Sequence, residues 1–441
     1  MKVLIRTDGH GPRLNYTFSL IFGGEAGSGF ELVSDPGAWS AYPGPRVWYG
    51  AGQPPSEACV WLPDSGWLAE TGIREFRPET GEFEGKPVLF PAPKSKATLP
   101  FDLPAMVFYL VSRYEEYLPF EPDRHGRFPA AQSLGFREGF LDFPLADFWI
   151  NRLFDLLERR FPGGADPRPA GRPRLTYDID MPWAFRYRRW WQYPAGYFRD
   201  VLRGHLQGLK ARLAVHTGKT PDPFFTFPML ARRHRELGLR PTFFFLLAGP
   251  GKYDPYPGYR SAAYRTFARE LLQHADGGIH PSYRTSDRPD LLSLELQRWQ
   301  SIFGEPPLRS RQHYLRFRLP DTYRLLLGAG LLEDHSMGFA DQPGFRAGTS
   351  RPFQWYDLEA EQETRLTVFP FAVMEVTLQQ YLGLDPAGAI TALRNLHRNA
   401  TEAGGDWAVL WHNSSFPPAP GWDGWDRVHD EMLNLTANFD K

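Results

Sequence analysis

The stretch Arg174–Trp183, RLTYDIDMPW, decides how the rest of the chain is read. Arg174 to Ile179 has the composition of a short buried strand, and Pro182 stops it just past two carboxylates. Asp178 and Asp180 are two residues apart, so a continuing strand points both to one face. Like carboxylates side by side repel, and such a pair needs a cation, a shared proton or an arginine. The plainer alternative is a pair of turn-initiating aspartates, which are common where strands end.

Composition narrows the field around this stretch. A chain of 441 residues is too long for one ordinary core, so two domains with an insertion are expected. Lys+Arg (50) and Asp+Glu (51) balance, so total charge gives no argument for a nucleic-acid partner. Aromatic residues make up 15%, which suits carbohydrate recognition and a plain packed core alike. One cysteine, Cys59, excludes an internal disulfide framework and suits a reducing compartment. The opening MKVLIRTDGHGPRL meets charged residues almost at once, unlike a signal peptide, and no apolar run is long enough to span a bilayer. A soluble, cytoplasmic protein is the expectation.

Upstream of the stretch, residues 1–170 read as a smaller α/β or α+β domain. Lys2–Thr7 and Tyr16–Phe22 have strand composition, with a Gly/Ser turn after the second. Gly27 to Pro100 is rich in Gly, Pro and Trp, with short strand-like pieces at Ala58–Leu62 and Val88–Pro91. Helical periodicity begins after Leu103, with Ser112, Arg113, Glu115 and Glu116 expected on the polar face. A polar loop, EPDRHGRFPA, follows at residues 121–130, and Ala146–Phe161 is a second amphipathic helix ending in basic residues. Gly163–Pro173 is dense in breakers and marks the domain boundary.

Downstream lies a second domain, residues 171–441. It first makes a basic, aromatic excursion, Ala184–Lys219, in which Asp200 is the only acid. This segment reads as a lid, as a contact for an anionic surface, or as a basic-faced helix covering the fold. From Arg240 strands and helices alternate. Pro241–Leu247, Gly277–His280, Leu308–Tyr314, Leu332–Gly338, Leu366–Phe371 and Trp407–His412 read as strands. Tyr264–Gln273, Leu291–Phe303, Asp321–Leu327 and Ala387–Ala403 read as helices. With Leu175–Asp180 that gives roughly seven strands in βα alternation, a parallel sheet rolled into a barrel short of the usual eight. Asp178, Asp180, His280, His313, Asp334 or His335, and His412 all fall at or near C-terminal strand ends, the face where such barrels build active sites. Several strand ends delivering Asp or His to one rim favour a site over turn residues.

The segment from about Arg174 to Asn413 resembles the polysaccharide deacetylase (NodB-homology) superfamily, the fourth family of carbohydrate esterases. Thr176-Tyr177-Asp178-Ile179-Asp180 is similar to the Asp-x-Asp variant of its first motif, and Pro241-Thr242-Phe243-Phe244-Phe245 to its second strand. His280-Pro281-Ser282-Tyr283-Arg284 keeps the first histidine of the family's His-(Ser/Thr)-x-x-His and has Arg284 in place of the second. Arg311-Gln312-His313-Tyr314 resembles the arginine motif, and Leu410-Trp411-His412 the closing Leu-x-His. SRYEEYL and DRHGRF resemble the leading domain of a bacterial branch of these proteins.

The resemblance implies a distorted (β/α)7-type barrel and hydrolysis of an N- or O-acetyl group on a glycan or polysaccharide. It implies a divalent metal, zinc, on Asp180 and His280, with Asp178 as general base, Arg311 holding Asp178 through a bidentate pair, and His412 as the acid for the leaving group. Trp183, Tyr283 and Trp411 are candidate sugar-stacking residues. Arg284 offers no lone pair, so it cannot coordinate. His313 is the expected third ligand beside Asp180 and His280, with His335 next in line. Two rivals remain: a carbohydrate-binding barrel that has lost its metal, and an Asp-x-Asp glycosyltransferase. The second lacks a Gly-rich phosphate loop and leaves His280 and His412 without a task. The glycan, the bond type and the oligomeric state stay open.

Overall fold

The computed structural model describes residues 2–23, 29–56, 58–164, 166, 168–188, 190–202, 204 and 206–439. The expected Gly/Ser turn falls largely on residues 24–28, outside the described residues, as do residues 165 and 167 of the boundary segment. Residues 189, 203 and 205 of the basic excursion also lie outside them.

The first part of the chain builds a four-stranded parallel sheet from β1 (Val3–Thr7), β2 (Phe30–Val33), β3 (Arg46–Tyr49) and β4 (Val60–Leu62), in the order β2-β1-β3-β4. The stretch expected as a strand at Tyr16–Phe22 is the end of a helix, Pro12–Phe22. Its buried Leu14, Thr17, Phe18, Ile21 and Phe22 recur at helical spacing, and Pro12 starts it where no backbone donor is needed. A hairpin, β5 (Thr80–Phe83) and β6 (Lys86–Leu89), and the helices Leu103–Val111 and Leu145–Arg160 complete this part.

Arg113, Glu115 and Glu116, expected in solvent, are buried instead. Arg113 donates to Glu116 at 2.7 Å and to Glu115 at 2.8 Å. Arg346, 230 positions further on, donates to both Glu116 oxygens at 2.9 and 2.6 Å. Together with one apolar core running from Val3 through Phe108 to Tyr177 and Val409, this network packs the two parts of the chain as one body.

The second part is a mixed α/β structure with a nine-stranded sheet. Its strands are β7 (Pro173–Ile179), β8 (Thr242–Leu246), β9 (Asp276–His280), β10 (Arg309–Ser310), β11 (Glu333–Asp334), β12 (Phe353–Asp357), β13 (Gln362–Val368), β14 (Val373–Met374) and β15 (Trp407–His412). The order is β12-β13-β11-β10-β9-β8-β7-β15-β14. All neighbours are parallel except the edge strand β12, which pairs antiparallel with β13. Among the described residues no ladder joins the two edges, so in place of seven strands closed as a barrel there are nine in an open ladder. The strands expected at Leu308–Tyr314 and Leu332–Gly338 shrink to two residues each.

The basic excursion folds as two helices, Gln192–Leu202 and Leu206–His216. Both of its ends are tied to the rim. Asn413, next to His412, donates to Met181 O at 3.0 Å and Phe224 O at 2.8 Å. The Asp222 carboxylate accepts from the backbone amides of Ala184, Phe185 and Arg186.

Candidate metal centre and active site

The alternation of β7 sends Asp178 to one face and Tyr177 to the other, where the Tyr177 hydroxyl lies 2.9 Å from Nε2 of both His234 and His429. β15 pairs with β7 in a register that sets His412 directly beside Asp178 and Trp411 beside Tyr177. His412 Nε2 therefore comes 3.9 Å from Asp178 Oδ2. On the other flank, His280 ends β9 with its Nε2 3.4 Å from Asp180 Oδ1 and 3.7 Å from Asp178 Oδ2. Arg311, next after β10, donates through Nη1 to Asp178 at 3.0 Å and through Nε to the His335 carbonyl at 2.8 Å. The expected bidentate pair is thus a single bond to Asp178 plus a backbone anchor. Beyond it Tyr314 and Leu315 take left-handed φ values of 63° and 52°, a local cost on the order of 1 kcal/mol or more each. His313, at the start of this turn, has Nε2 3.6 Å from Asp180 Oδ1.

Asp180, His280 and His313 each offer one donor atom, and these atoms all lie within 4.8 Å of one another. Asp180 Oδ1 and His280 Nε2 are buried and make no hydrogen bond, which is costly unless something fills the space between them. His280 Nδ1 donates to the Arg311 carbonyl at 2.6 Å, which leaves the Nε2 lone pair facing Asp180. His313 Nδ1 lies 2.9 Å from Asp254 Oδ1. One carboxylate with two imidazoles, each ring fixed through its other nitrogen, fits a catalytic divalent-metal site with an open position. Arg284 sits in a short 3-10 turn, Tyr283–Ser286, and takes no part in this cluster.

The electrostatics agree with this donor set. Burial works against the charged form of Asp180, yet His313 and His280 hold its carboxyl well below the usual range. Burial likewise works against the charge on His313, but Asp180 and Asp254 push it up to about 9. A divalent ion on the same three groups would supply that positive charge and displace the proton. His412, whose Nδ1 lies 2.7 Å from Glu375 Oε1, is raised to about 10 in spite of burial, by Glu375, Asp180 and Asp178. It is therefore equipped to hold a proton at Nε2.

These groups open into a cavity of about 500 Å³. Its wall includes Tyr253, Tyr314, Tyr381 and Trp422, and also Arg124 and Arg127 from the first part of the chain. Arg124 and Arg127 belong to the DRHGRF stretch and Tyr314 to the arginine motif, whereas Asp254, Glu375, Tyr253, Tyr381 and Trp422 belong to no motif read from the sequence. Asp254 was detectable in principle, as an acid in the Pro-rich loop that leaves β8 at the rim. Glu375 follows a strand of only two residues, Val373–Met374, which leaves no periodicity to read.

Three candidates for sugar stacking are placed otherwise. Trp183 is buried, stacked on Phe225 at 5.5 Å and packed edge-on to Phe267, and does not line the cavity. Trp411 is buried against Phe416 and His429 on the opposite face of β15 from His412. Tyr283 does not line the cavity and packs on Tyr253 of its wall, 4.3 Å apart between ring centres. Asp334 is buried and accepts from Ser310 and Ser336, and His335 stacks on Phe369 at 4.5 Å. Neither belongs to the metal cluster.

A family of unknown function, DUF7033, matches residues 3–162. Among curated proteins none matches the chain. Solved structures similar to it include a candidate polysaccharide deacetylase from Mycobacterium smegmatis, at 17% identity over 62% of this chain and 86% of that one, with a TM-score of 0.40. The polysaccharide deacetylase Bc1974 from Bacillus cereus matches at 10% identity over 47% of this chain and 79% of that one, TM-score 0.27. BA3943 from Bacillus anthracis, described as a CE4 family pseudoenzyme, matches at 10% identity over 49% and 58%, TM-score 0.27. At these TM-scores the roles of residues rest on the geometry of the site alone.

Proposed function

We propose that the protein is a metal-dependent hydrolase that removes acetyl groups from a glycan. The observation that carries this reading is the trio Asp180, His280 and His313, with two buried donor atoms left unsatisfied, beside an arginine-held Asp178. Zinc bound there would polarise an acetyl carbonyl and acidify a water. Asp178, held in place by the hydrogen bond from Arg311, accepts the proton of the attacking water. His412, oriented by Glu375, hands a proton to the departing amine or alkoxide. The tyrosines of the wall and Trp422 offer flat faces to a sugar ring.

Arg284 at the position of the family's second histidine favours a second reading, a carbohydrate-binding protein without metal. Metal analysis of the purified protein, combined with acetate release from acetylated chito-oligosaccharide, separates the two. The hydrolase reading expects about one zinc per chain, acetate release, loss with chelator and recovery with zinc. Absence of both retained metal and acetate release would leave the binding protein.

A further inference from the structure

The loop that the first part of the chain sends to the cavity has an unusual charge arrangement. Asp123 is fully engaged, by Arg127 Nε at 2.7 Å and by the backbone amides of His125 and Arg127. Arg127 is engaged as well, donating to Tyr314 O at 2.7 Å and to the Tyr381 hydroxyl at 3.3 Å. Arg124 is not. Its Nε donates to His125 Nε2 at 3.1 Å, and its two terminal nitrogens have no hydrogen bond or ion pair among the described residues. His125 is buried and held neutral, by burial first and by Arg127 next, so it can accept that bond. Its Nδ1 sits 3.3 Å from the Tyr283 hydroxyl. Arg124 is thus held through Nε while it lines the cavity and stays exposed. A pre-positioned guanidinium fork is suited to an oxyanion.

We infer that Arg124 is an anion-binding subsite, and that the sugar taken by the cavity carries a carboxylate or phosphate. The acetyl group on that sugar rests on the hydrolase reading; the anion does not. Binding of three probes to the zinc-loaded protein tests this: N-acetylgalactosamine, N-acetylgalactosaminuronic acid, and N-acetylgalactosamine phosphorylated at its primary hydroxyl. The charged sugars should bind about tenfold more tightly than the neutral one, and Arg124→Ala should erase the difference without weakening the neutral sugar. The uronic acid and phosphate arms show which anion is preferred. Equal binding of all three by the wild type, or a preference that survives Arg124→Ala, overturns the subsite. Preference without acetate release from any of them would instead count against the hydrolase reading.

A separate observation concerns the two-helix excursion. Every described large apolar side chain that is more than half exposed lies in it: Trp190, Phe198, Val201, Leu202, Leu206 and Leu213. Phe198, Val201 and Leu202 share one face of the first helix, and Leu206 and Leu213 one face of the second. The same 36 residues, 184–219, carry eight Arg and Lys against one Asp. That excess disfavours pairing with a second copy of itself, which would bring like charge against like. It suits a negatively charged bilayer, into which Trp, Phe and Leu insert at the headgroup boundary. An apolar groove beside it, lined by Met181, Phe185, Trp191, Phe224 and Pro418, adjoins the rim through Met181, the residue after Asp180.

We propose that this hairpin docks the protein on an anionic membrane with the active-site rim beside the surface. Flotation with phosphatidylcholine vesicles, with and without phosphatidylglycerol, reads it directly. Binding should require phosphatidylglycerol, weaken as salt rises, and fall about tenfold or more in a Trp190→Ser, Phe198→Ser, Leu202→Ser variant that keeps its metal content and circular dichroism. No binding by the wild type, or equal binding by the variant, overturns it. A dimer that the triple substitution dissociates, with no vesicle binding, would assign the face to a second copy instead.

Discussion

Asp254 holds His313: its Oδ1 lies 2.9 Å from Nδ1, and both side chains are buried. That contact turns the other ring nitrogen toward Asp180 and gives His313 the fixed tautomer a metal ligand needs. His313→Ala should abolish zinc retention, and Asp254→Asn should weaken it by about ten- to a hundredfold. Arg284→Ala should leave it unchanged. Zinc titrations against a chromophoric chelator give all three affinities, and stoichiometric zinc in the His313 variant would refute the ligand set.

The two aspartates of the opening stretch should fail differently. Asp178→Asn, with Arg311 left without its counter-ion, keeps zinc and loses about a hundredfold or more of turnover, because an amide cannot accept the water's proton. Asp180→Asn loses zinc and turnover together. Identical metal contents in the two variants would show that the division of labour is wrong.

Glu116 bridges two buried arginines, Arg113 and Arg346, across the junction between the two parts of the chain. Burial opposes its charge, but the arginines hold its carboxyl below the ordinary value. Glu116→Gln should cost about 3–5 kcal/mol, since it strands buried positive charge. Urea unfolding measures it. A loss below about 1 kcal/mol would mean the arginines find other partners.

The Tyr177 hydroxyl sits between two imidazoles that the fold keeps neutral. Burial lowers His234 to about 4, and burial together with His234 takes His429 well below its ordinary value. Above pH 6.5 both states leave these rings neutral, so they contribute no pH dependence there. Below it the unfolded chain takes up protons that the folded protein refuses, and stability falls by roughly 1 kcal/mol per pH unit for each ring. The fall from His234 ends as the pH passes its folded value near 4. Unfolding midpoints followed from neutral pH downward should show this slope, and His234→Gln should shallow it. Equal slopes in wild type and variant would remove the network as the cause.

Local periodicity carried the second part of the fold well where strands are long. β8 and β15 lie within the stretches expected, β7 and β9 each begin one residue earlier, at Pro173 and Asp276, and alternation on β7 and β15 places Asp178 and His412 on one face. The same alternation, applied to Trp411, already excludes it from that face. Strands of two residues, such as β10, β11 and β14, leave no period to detect, and their positions are set by neighbours far away in sequence. Tyr16–Phe22 misled because aromatic and β-branched content favours strands, while the helix spacing from Leu14 to Phe22 was the weightier signal. Arg113, Glu115 and Glu116 read as a solvated face because the partner that makes burial tolerable, Arg346, is far along the chain.

That distance sets a timetable for synthesis. Glu116 and Arg346 are separated by 230 positions, so at about 5–20 residues per second a ribosome adds Arg346 roughly 10–50 s after Glu116. Throughout that interval Glu116 has Arg113 as its partner and lacks Arg346. The junction around Glu116 therefore closes only once the second part has been made.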